Sequence, residues 1–436
     1  MAKDTETEWD KIEEVKNDEK VGKEVNLRGW VYRERSTAKV AFITLRDSTG
    51  IIQCVFKEDS PGFREASNTK IESSISIKGK VEKDDRAPGG YEIKGKEISH
   101  YQKSEKFPIT QDPSTEFLMD ARHLWLRSSK IRKVLRTREK VLEYFREFFK
   151  EKNFHEVQPP LITQAGVEGG STLFDFEYFD ETAYLTQSSQ LYLEAFITSL
   201  ENVYCIAPSF RAEKSRTSKH LTEYWHLEAE MAWYENQDNI EFQEEMISYV
   251  ANKLGEENQK VLKDFGRDPE VLKRIEPPFK RLSYTEAIEE LQEQGLKIEW
   301  GEDFGAGHEK ALTENEKEPI VIYNFPKKIK PFYMPEAEKS EEEETVLCND
   351  ILAPEGYGEI IGGSERIWEL EELMKRLEET GTDKEAYEWY IDLRRYGSVP
   401  HSGFGLGIER TLSWLFKRDH IRETIGFPRT INRVYP

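Results

Sequence analysis

Five short segments between residues 21 and 105 alternate apolar and polar side chains, and this pattern constrains the fold most. The segments are VNLRGWVYRE, VAFITLRD, GIIQCVFKE, SISIKGKVEK and YEIKGKEISHY, and turn residues separate them, as in DSTG and DDRAPGG. Alternation with a period of two predicts strands that bury one face. Five such strands in so short a stretch predict a small β-barrel domain over residues 1–105.

The strand number and spacing favour a barrel of the oligonucleotide/oligosaccharide-binding (OB) type, which presents one face to single-stranded ligands. An SH3-like barrel, or another small barrel, remains the alternative, because the alternation does not reveal the order of the strands.

Residues 106–128 contain two prolines and no periodicity near them, and are predicted to be a linker or hinge. A second domain is expected over residues 129–436. It opens with a helix at 129–154, whose apolar stripe is formed by Ile131, Leu135, Leu142, Phe145 and Phe149. Strand-like runs dominate up to residue 233, and a charged helical insertion is expected at about 236–300. Strands and helices do not alternate as βαβα, so we predict an α+β domain with an antiparallel sheet flanked by helices.

The formal net charge of −21 argues against a nucleic-acid partner, since affinity for RNA comes largely from neutralised phosphates. A protein that reads tRNA needs only a local basic face, however, so this partner is not excluded. The N-terminus is polar and acidic, and no apolar run is long enough to cross a bilayer. The three cysteines form no C-x-x-C pair. We therefore expect a cytoplasmic protein with reduced thiols and no membrane contact.

Two segments combine features of a nucleotide site. In SFRAEKSRTSKHLTEYWHLEAEMAW, Arg211 and Glu213 are two residues apart and would share one face of a strand that leads into a basic loop. In GFGLGIER, glycines precede a helix start, where anions bind readily, and Arg410 follows within the first turn. The alternative for Arg211 and Glu213 is a surface ion pair of little energetic consequence.

The segment LCNDILAPEGYGEIIGGSER places Asp350 and Glu359 among apolar, strand-like residues. Buried carboxylates are costly unless they are paired or bind a metal, so a Mg²⁺ site shared with ATP phosphates is one interpretation. The other is that both side chains face solvent or cap turns. Arg366 could offer a two-pronged donor to a carboxylate or an amide.

Together these segments resemble the class II aminoacyl-tRNA synthetases, and most closely the archaeal-type enzymes of the aspartate/asparagine branch. FHEVQPPLI matches the first family motif with Pro160, Phe210–Trp233 matches the second, and Gly403–Arg410 matches the third. EGGSTLF, QSSQLYLEAF and APEGYGEIIGGSER extend the resemblance to the branch. The resemblance implies a homodimer joined through the Pro160 motif. It also implies ATP-dependent formation of an aminoacyl-adenylate and transfer to the 3′-terminal adenosine of a tRNA.

The resemblance also implies roles for individual residues. Arg211 and Arg410 would be catalytic, with Arg211 on the α-phosphate and Arg410 stacked on the adenine. The ATP-binding residues would be Arg211, Glu213, His220, Tyr224, Glu359, Gly407 and Arg410. Asp350 and Glu359 would hold Mg²⁺; the aspartate enzymes place two fewer residues between these carboxylates. Glu168 and Gln190 would bind the amino acid backbone, and Arg366 its side-chain oxygen.

In this branch the barrel reads the anticodon of the tRNA, with an aromatic ring stacked on a base and a glutamine paired with its edge. Phe42 and Gln53 match those positions, and Arg28 is a neighbouring candidate. Stacking on a base contributes roughly 1–3 kcal/mol. The alternative is that Phe42 belongs to the barrel core.

Two positions in the sequence bear on which amino acid is the substrate. The aspartate enzymes of the branch carry a lysine where this chain has Leu193, and tend to carry aspartate where it has Glu228. Glu228 has a longer side chain than aspartate. Without a lysine nearby, its carboxylate would accept a hydrogen bond from the amide of the substrate and would repel a substrate carboxylate. Asparagine is therefore the expected substrate. Aspartate–tRNA ligation and ATP-dependent asparagine synthesis on the same catalytic fold remain alternatives, and Leu193 could simply be a packing residue.

Overall fold

A computed structural model describes residues 7–110, 112–166, 172–214, 217–337 and 344–436. The chain divides into two compact units, Met1–Leu118 and Met119–Pro436. None of the helices in these residues is long and apolar enough to cross a membrane.

The first unit is a closed five-stranded barrel with the strand order β1-β2-β3-β5-β4. Its strands are β1 (Glu24–Ser36), β2 (Val40–Arg46), β3 (Ile51–Lys57), β4 (Ser74–Lys83) and β5 (Tyr91–Gln102), and two short helices accompany them, α1 (Ile12–Val15) and α2 (Phe63–Ser67). All pairs are antiparallel except β3 and β5. Each of the five predicted segments forms one strand, and the predicted OB-type barrel is confirmed.

The barrel closes because every second side chain is apolar and can enter a common core. Leu27, Ile43, Cys54, Ile77 and Ile93, one from each strand, are each at most 1% exposed. Removing such alternating faces from water is the main driving force for closing a small barrel.

The second unit is built on an eight-stranded sheet with the order β12-β13-β14-β15-β16-β11-β10-β6. Its strands are β6 (His155–Glu156), β10 (Asn202–Phe210), β11 (Glu223–Ala232), β12 (Lys280–Ser283), β13 (Ile320–Tyr323), β14 (Cys348–Ala353), β15 (Gly358–Glu365) and β16 (His401–Gly407). Only the outer pairs β12/β13 and β10/β6 are parallel, so the predicted antiparallel α+β sheet is confirmed. A small sheet is formed by β7 (Ile162–Thr163), β8 (Asp175–Tyr178) and β9 (Glu181–Leu185).

Twelve helices are assigned from residue 115 onward within the described part of the chain. They are α3 (Thr115–Asp120), α4 (Arg122–Trp125), α5 (Ser129–Glu151), α6 (Gln190–Leu200), α7 (Asn236–Glu257), α8 (Gln259–Phe265), α9 (Pro269–Leu272), α10 (Tyr284–Glu293), α11 (Ala306–Thr313), α12 (Leu370–Glu379), α13 (Glu388–Arg395) and α14 (Ile408–Leu415). Part of the stretch predicted to be a linker is therefore helical, and β12 interrupts the helical region at 236–300.

The helix α5 begins and packs as its sequence predicts. Ser128 caps it by accepting a hydrogen bond from the Ile131 N–H, as N-cap serines do. Its aromatic stripe lies on the sheet, where the ring of Phe149 stacks on Tyr204 of β10 with centroids 4.2 Å apart. The helix α5 thereby packs against β10, and it contacts α7 through Phe148 and Phe242.

Candidate functional site

Two adjoining cavities lie against the central strands of the second unit. The first is lined by residues of β11, β15, β16, α14 and the loop between β10 and β11. The second, of about 360 Å³, is lined mainly by β11, β14 and β15 and by segments around residues 190, 304 and 330. Arg211, His226, Glu359 and Gly405 line both cavities, so a ligand that spans them could contact all four.

All seven residues predicted to bind ATP line the first cavity: Arg211, Glu213, His220, Tyr224, Glu359, Gly407 and Arg410. They come from three separate sequence segments. The fold therefore places these residues around one cavity, and their individual roles stay predictions.

The glycine-rich segment forms a strand that leads directly into α14. Residues His401–Gly407 are β16, paired with both β11 and β15, and Gly407 is the N-cap of α14. A Cβ atom at Gly405 would lie 2.5 Å from His226 Nε2, and one at Gly403 would lie 2.1 Å from Glu230 Oε2. The glycines thus make room for side chains that cross from β11 into the site.

Arg410 is held at the boundary of the cavities by Glu359. Its Nη1 donates to Glu359 Oε2 at 2.8 Å, linking α14 to β15. Although its half-buried position raises the pKa of Glu359, the guanidinium groups of Arg410 and Arg211 outweigh this effect, and the pKa falls below its ordinary value. Glu359 is therefore ionised at neutral pH.

The start of α14 is anchored by its neighbour Glu409, which is only 1% exposed. Glu409 Oε2 accepts from the Trp225 N–H at 2.9 Å, and Oε1 is 2.5 Å from Arg138 Nη1 of α5. This buried contact fixes the first turn of α14, which carries Arg410.

The strand β10 ends at Phe210, so Arg211 and Glu213 do not share a strand face as predicted. Both nevertheless line the first cavity from the loop that follows. The loop backbone is held there because the Arg211 N–H donates to the Thr222 carbonyl at 3.0 Å. The Arg211 guanidinium lies 5.9 Å from the centre of the Tyr224 ring. A cation and an aromatic face are thus presented side by side, which suits a phosphate and a purine.

His220 lies on the same loop, with Nε2 3.9 Å from Glu213 Oε2. Burial and the charges of Arg410 and Arg211 lower the pKa of His220 below its ordinary value. The imidazole is therefore mainly neutral at pH 7 and can accept as well as donate a hydrogen bond.

The second cavity contains the residues predicted to bind the amino acid and the metal: Gln190, Glu228, Arg366, Asp350 and Glu359. Glu168 lies outside the described residues. Leu193 also lines the cavity and is fully buried against a small apolar cluster that includes Ile197 and Val203. Leu193 is thus both a packing residue and part of the cavity wall.

The carboxylate of Glu228 is fixed by the start of α6. Its two oxygens lie 3.0 and 2.9 Å from the Ser189 N–H, and Oε1 also accepts from the Ser188 hydroxyl. His226 Nδ1 is 3.5 Å from Oε2. Glu228 thereby presents a buried, acceptor-rich surface in the second cavity.

Arg366 is paired with Glu230, which follows Glu228 by two residues on β11. Nε and Nη2 of Arg366 donate to the two Glu230 oxygens at 2.9 and 3.1 Å, and Nη1 donates to the Ser364 hydroxyl at 2.6 Å. Burial lowers the pKa of Arg366, but Glu230 more than offsets this and raises it. The guanidinium is charge-compensated before any ligand binds.

Asp350 and Glu359 meet beside Gly362. A Cβ atom at Gly362 would lie 3.5 Å from Asp350 Oδ1 and 3.8 Å from Glu359 Oε1. This glycine leaves a small space faced by two carboxylates, and hard cations such as Mg²⁺ prefer oxygen ligands of this kind. The residues present therefore fit the predicted metal.

The other Asp350 oxygen is engaged by Lys330, whose Nζ lies 3.3 Å from Oδ2. Burial raises the pKa of Asp350 to about 7; Lys330 opposes this rise and the charge of Glu359 adds to it. Asp350 is therefore a carboxyl group that changes its charge near neutral pH.

Several cavity residues were not predicted from the sequence: Lys219, Glu230, Asp303, Glu309 and Lys330. Glu230 could have been found, because it is two residues from Glu228 on a strand and shares its face. Lys219 precedes His220 in the basic loop. Asp303, Glu309 and Lys330 have no local signal, since only the tertiary fold brings them to β14 and β15.

In the first unit, Phe42, Gln53 and Arg28 lie on the outward face of the barrel. Phe42 is partly exposed between the fully buried Ala41 and Ile43, so it is not a core residue. Gln53 on β3 is also partly exposed, and its amide donates to Glu92 at 2.9 Å. In the register of β2 with β3, Phe42 pairs with Val55 and Gln53 with Thr44. Phe42 and Gln53 therefore lie diagonally on one face.

Comparisons with known proteins agree with this geometry. Residues 114–431 match the family model of the class II tRNA synthetases (D, K and N), and residues 25–100 match the OB-fold nucleic acid binding domain. The chain is 50% identical over 428 residues to the asparagine–tRNA ligase of Thermoplasma acidophilum, covering 98% of this chain and 99% of that protein.

Solved structures are similar over nearly the whole chain. Asparaginyl-tRNA synthetase from Pyrococcus horikoshii, complexed with asparaginyl-adenylate, superposes with a TM-score of 0.95 at 47% identity, covering 98% of this chain and 100% of that one. The asparaginyl-tRNA synthetase of Entamoeba histolytica in complex with asparaginyl-adenylate gives a TM-score of 0.87 at 35% identity, covering 95% and 97%.

Proposed function

The chain belongs to the class II tRNA synthetases (D, K and N), and from this membership we propose that it ligates asparagine to its tRNA at the expense of ATP. The observation that carries the proposal is the second cavity, where Glu228 and a charge-compensated Arg366 face a wall formed in part by Leu193. Such a lining suits a neutral carboxamide better than a carboxylate.

In the first step, an oxygen of the asparagine carboxylate attacks the α-phosphorus of ATP, and the bond to the pyrophosphate oxygen breaks. Asparaginyl-adenylate forms and pyrophosphate leaves. Arg211 lines both cavities, and Arg410 and Tyr224 line the first. In this proposal Arg211 would contact the α-phosphate, and Arg410 and Tyr224 would enclose the adenine. Catalysis then comes from positioning and from fixed positive charge at the reacting phosphate.

Magnesium bound with ATP would supply further positive charge to the phosphates, and Asp350 and Glu359 are the residues that would hold it. Both line the second cavity, and Glu359 also lines the first, so the two carboxylates lie where the nucleotide and the amino acid would meet.

Asparagine recognition is assigned to Gln190, Arg366 and Glu228. The Gln190 amide donates through Nε2 to Glu194 at 3.1 Å, so its oxygen remains to accept from the substrate ammonium group. The N–H groups that Arg366 does not share with Glu230 or Ser364 would donate to the side-chain oxygen of asparagine. Glu228 would accept from its amide NH₂ group.

In the second step, the 3′-hydroxyl of the terminal tRNA ribose attacks the carbonyl carbon of the adenylate, and AMP leaves. The tRNA anticodon would lie on the outward face of the barrel, where Phe42 offers a stacking surface and Gln53 and Arg28 offer donors. The barrel thus acts as the anticodon-binding domain.

The enzyme is proposed to act as a homodimer through the segment that includes Pro160. Pro160, Leu161 and Ile162 are exposed in the single chain, and the last two are 36% and 46% exposed. Light scattering after size-exclusion chromatography should give twice the chain mass. Replacing Ile162 with aspartate should shift the mass towards that of one chain.

ATP–pyrophosphate exchange with asparagine, and separately with aspartate, tests the proposal directly. Asparagine should support exchange and aspartate should not, and only asparagine should become attached to tRNA. Equal or better use of aspartate would point to the aspartate ligase instead. Release of free asparagine from aspartate and ATP without tRNA would point to an asparagine synthetase.

A further inference from the structure

A carboxylate outside the two cavities, Glu194 of α6, is a centre of buried hydrogen bonds. Its side chain is completely buried, and it accepts from Tyr390 at 2.7 Å, Arg394 at 2.5 Å, His401 at 3.0 Å and Gln190 at 3.1 Å. A carboxylate with four donors has its acceptor capacity well filled. It is therefore ionised despite its burial, because Arg394 and His401 hold its pKa far below the ordinary value.

Hydrogen bonds connect Glu194 to the lining of the second cavity by two routes. Gln190, which lines the cavity, donates its amide N–H to Glu194. Arg394, bound to the other oxygen of Glu194, also donates through Nε to the carbonyl of Ile367 at 2.8 Å, and Ile367 directly follows Arg366. Glu194 thus contacts one cavity residue, Gln190, directly, and is linked to Arg366 through Arg394 and Ile367.

The charge of Glu194 reaches the cavity as well. Glu194 contributes, after Glu230, to raising the pKa of Arg366. Three buried glutamates, Glu194, Glu228 and Glu230, lie near two guanidinium groups, Arg366 and Arg394, with His226 and His401 beside them. Burial raises the pKa of Glu230 above its ordinary value, so Glu194 is the member of this group whose ionisation is most favoured. Charges in a buried region act over longer distances than in water, because little solvent screens them.

Resting on the proposed function, we propose that Glu194 is a specificity-determining residue that selects asparagine over aspartate through its negative charge, without touching the substrate. The added charge makes the potential in the cavity less positive. It therefore opposes a second carboxylate on the substrate and leaves a neutral carboxamide almost unaffected. Glu228 would accept the hydrogen bond from the substrate amide, and Glu194 would lower the electrostatic potential of the whole cavity.

Glu194, Glu230 and His401 also bring ligand atoms within 4.8 Å of one another, as metal ligands do. Both carboxylates are already bound by guanidinium groups, however, Glu194 by Arg394 and Glu230 by Arg366. The positive charge that a metal would supply is thus present, and the cluster is an ion network.

The experiment compares Glu194→Gln with Tyr390→Phe. Glu194→Gln keeps the shape and removes the charge, whereas Tyr390→Phe removes one hydrogen bond to Glu194 and keeps its charge. The readout is the ratio of kcat/KM for asparagine to that for aspartate in ATP–pyrophosphate exchange. We expect Glu194→Gln to lower this ratio by about tenfold or more, mainly through a smaller KM for aspartate. Tyr390→Phe should keep the ratio within about twofold of the wild type, because the charge is unchanged.

A second variant, which removes a positive charge instead of a negative one, tests the proposal if Glu194→Gln does not fold. Arg394→Gln removes a positive charge from the same network, so the ratio should rise as aspartate binds more weakly. Thermal unfolding shows which variants are folded. If both fold and move the ratio in the same direction, or if a folded variant leaves it unchanged, charge selection by Glu194 is wrong.

The failure of this inference differs from the failure of the proposed function. A wild-type protein that activates aspartate as well as asparagine would overturn the function. A wild-type protein that selects asparagine, together with a Glu194→Gln variant of unchanged ratio, would overturn only the role of Glu194.

Discussion

Arg366 and Glu230 are 136 residues apart in the sequence, yet they form a two-pronged ion pair inside the second cavity, with N–O distances of 2.9 and 3.1 Å. The pair neutralises the guanidinium of Arg366, the cation in this cavity that would otherwise bind a carboxylate of the substrate. The remaining N–H groups of Arg366 can still donate to a ligand, and because the charge of the guanidinium is already balanced, they suit the neutral oxygen of a carboxamide.

Replacing Arg366 with lysine should therefore reduce kcat/KM for asparagine by about 10²-fold or more, since an ammonium group cannot donate to Glu230 and to the substrate in the same geometry. The KM for ATP should change little. Steady-state exchange kinetics at varied asparagine and varied ATP would separate the two effects. An equal loss for both substrates would assign Arg366 a general structural role.

The double variant Leu193→Lys with Glu228→Asp should gain activity with aspartate. Leu193 lines the second cavity, so a lysine there could direct its ammonium group to a substrate carboxylate. Because Leu193 is fully buried in an apolar cluster, the single Leu193→Lys variant should lose stability. Exchange with aspartate is the measurement, and thermal unfolding is the control. A folded double variant without aspartate activity would show that these positions do not select the substrate.

Arg410→Lys should lower kcat for adenylate formation by about 10²-fold or more, because a lysine cannot both pair with Glu359 and stack on the adenine. The matched control is Arg395→Lys, an exposed residue paired with Glu388 and Asp392. Exchange activity should be normal in the control. Similar losses in both variants would indicate that the arginine-to-lysine change perturbs the fold in general.

The pKa of about 7 for Asp350 predicts that divalent-cation binding depends on pH. The cation must displace a proton below that pH, so Mn²⁺ affinity should fall by about tenfold per pH unit between pH 7 and 5. Electron paramagnetic resonance of free Mn²⁺ would measure this without any reaction. Asp350→Asn should bind more weakly and lose the pH dependence. A variant that keeps the full pH dependence would show that another group carries it.

The same raised pKa has a consequence for stability. The folded chain binds a proton on Asp350 between about pH 4 and 7 that the unfolded chain, with an ordinary value of 3.8, does not bind. The contribution of Asp350 to stability is thus fully present below pH 4 and is lost as the pH rises through 7. Denaturant unfolding of the wild type and Asp350→Asn in that window would reveal the difference.

Phe42→Ala should weaken tRNA binding and leave amino acid activation intact. Loss of one stacked base costs about 1–3 kcal/mol, so the KM for tRNA should rise by roughly 5- to 150-fold. Exchange without tRNA should be unchanged, because Phe42 belongs to the barrel. The control is Val40→Ala, which lies on the same face of β2 two residues away and should have little effect. Equal effects of both variants would place the anticodon elsewhere.

The sequence by itself determined the elements whose signal is local. Alternation over a few residues was enough for the five barrel strands, and an apolar stripe was enough for α5. The motifs, through their resemblance to a known family, were enough to predict that Arg211, Glu359 and Arg410 lie together, and all three line the first cavity. In each case the pattern that supports the prediction lies within one segment of the sequence or in the order of a few segments.

Only the tertiary structure decided which groups meet and which way they face. Alternation could not say whether Phe42 is inside the barrel, because a period of two describes both faces equally. The partners Arg366 with Glu230, Lys330 with Asp350, and Arg394 with Glu194 lie 20 to 200 residues apart. Pairing of buried charges depends on distances of a few ångströms, and those distances exist only after the strands of the sheet have taken their register.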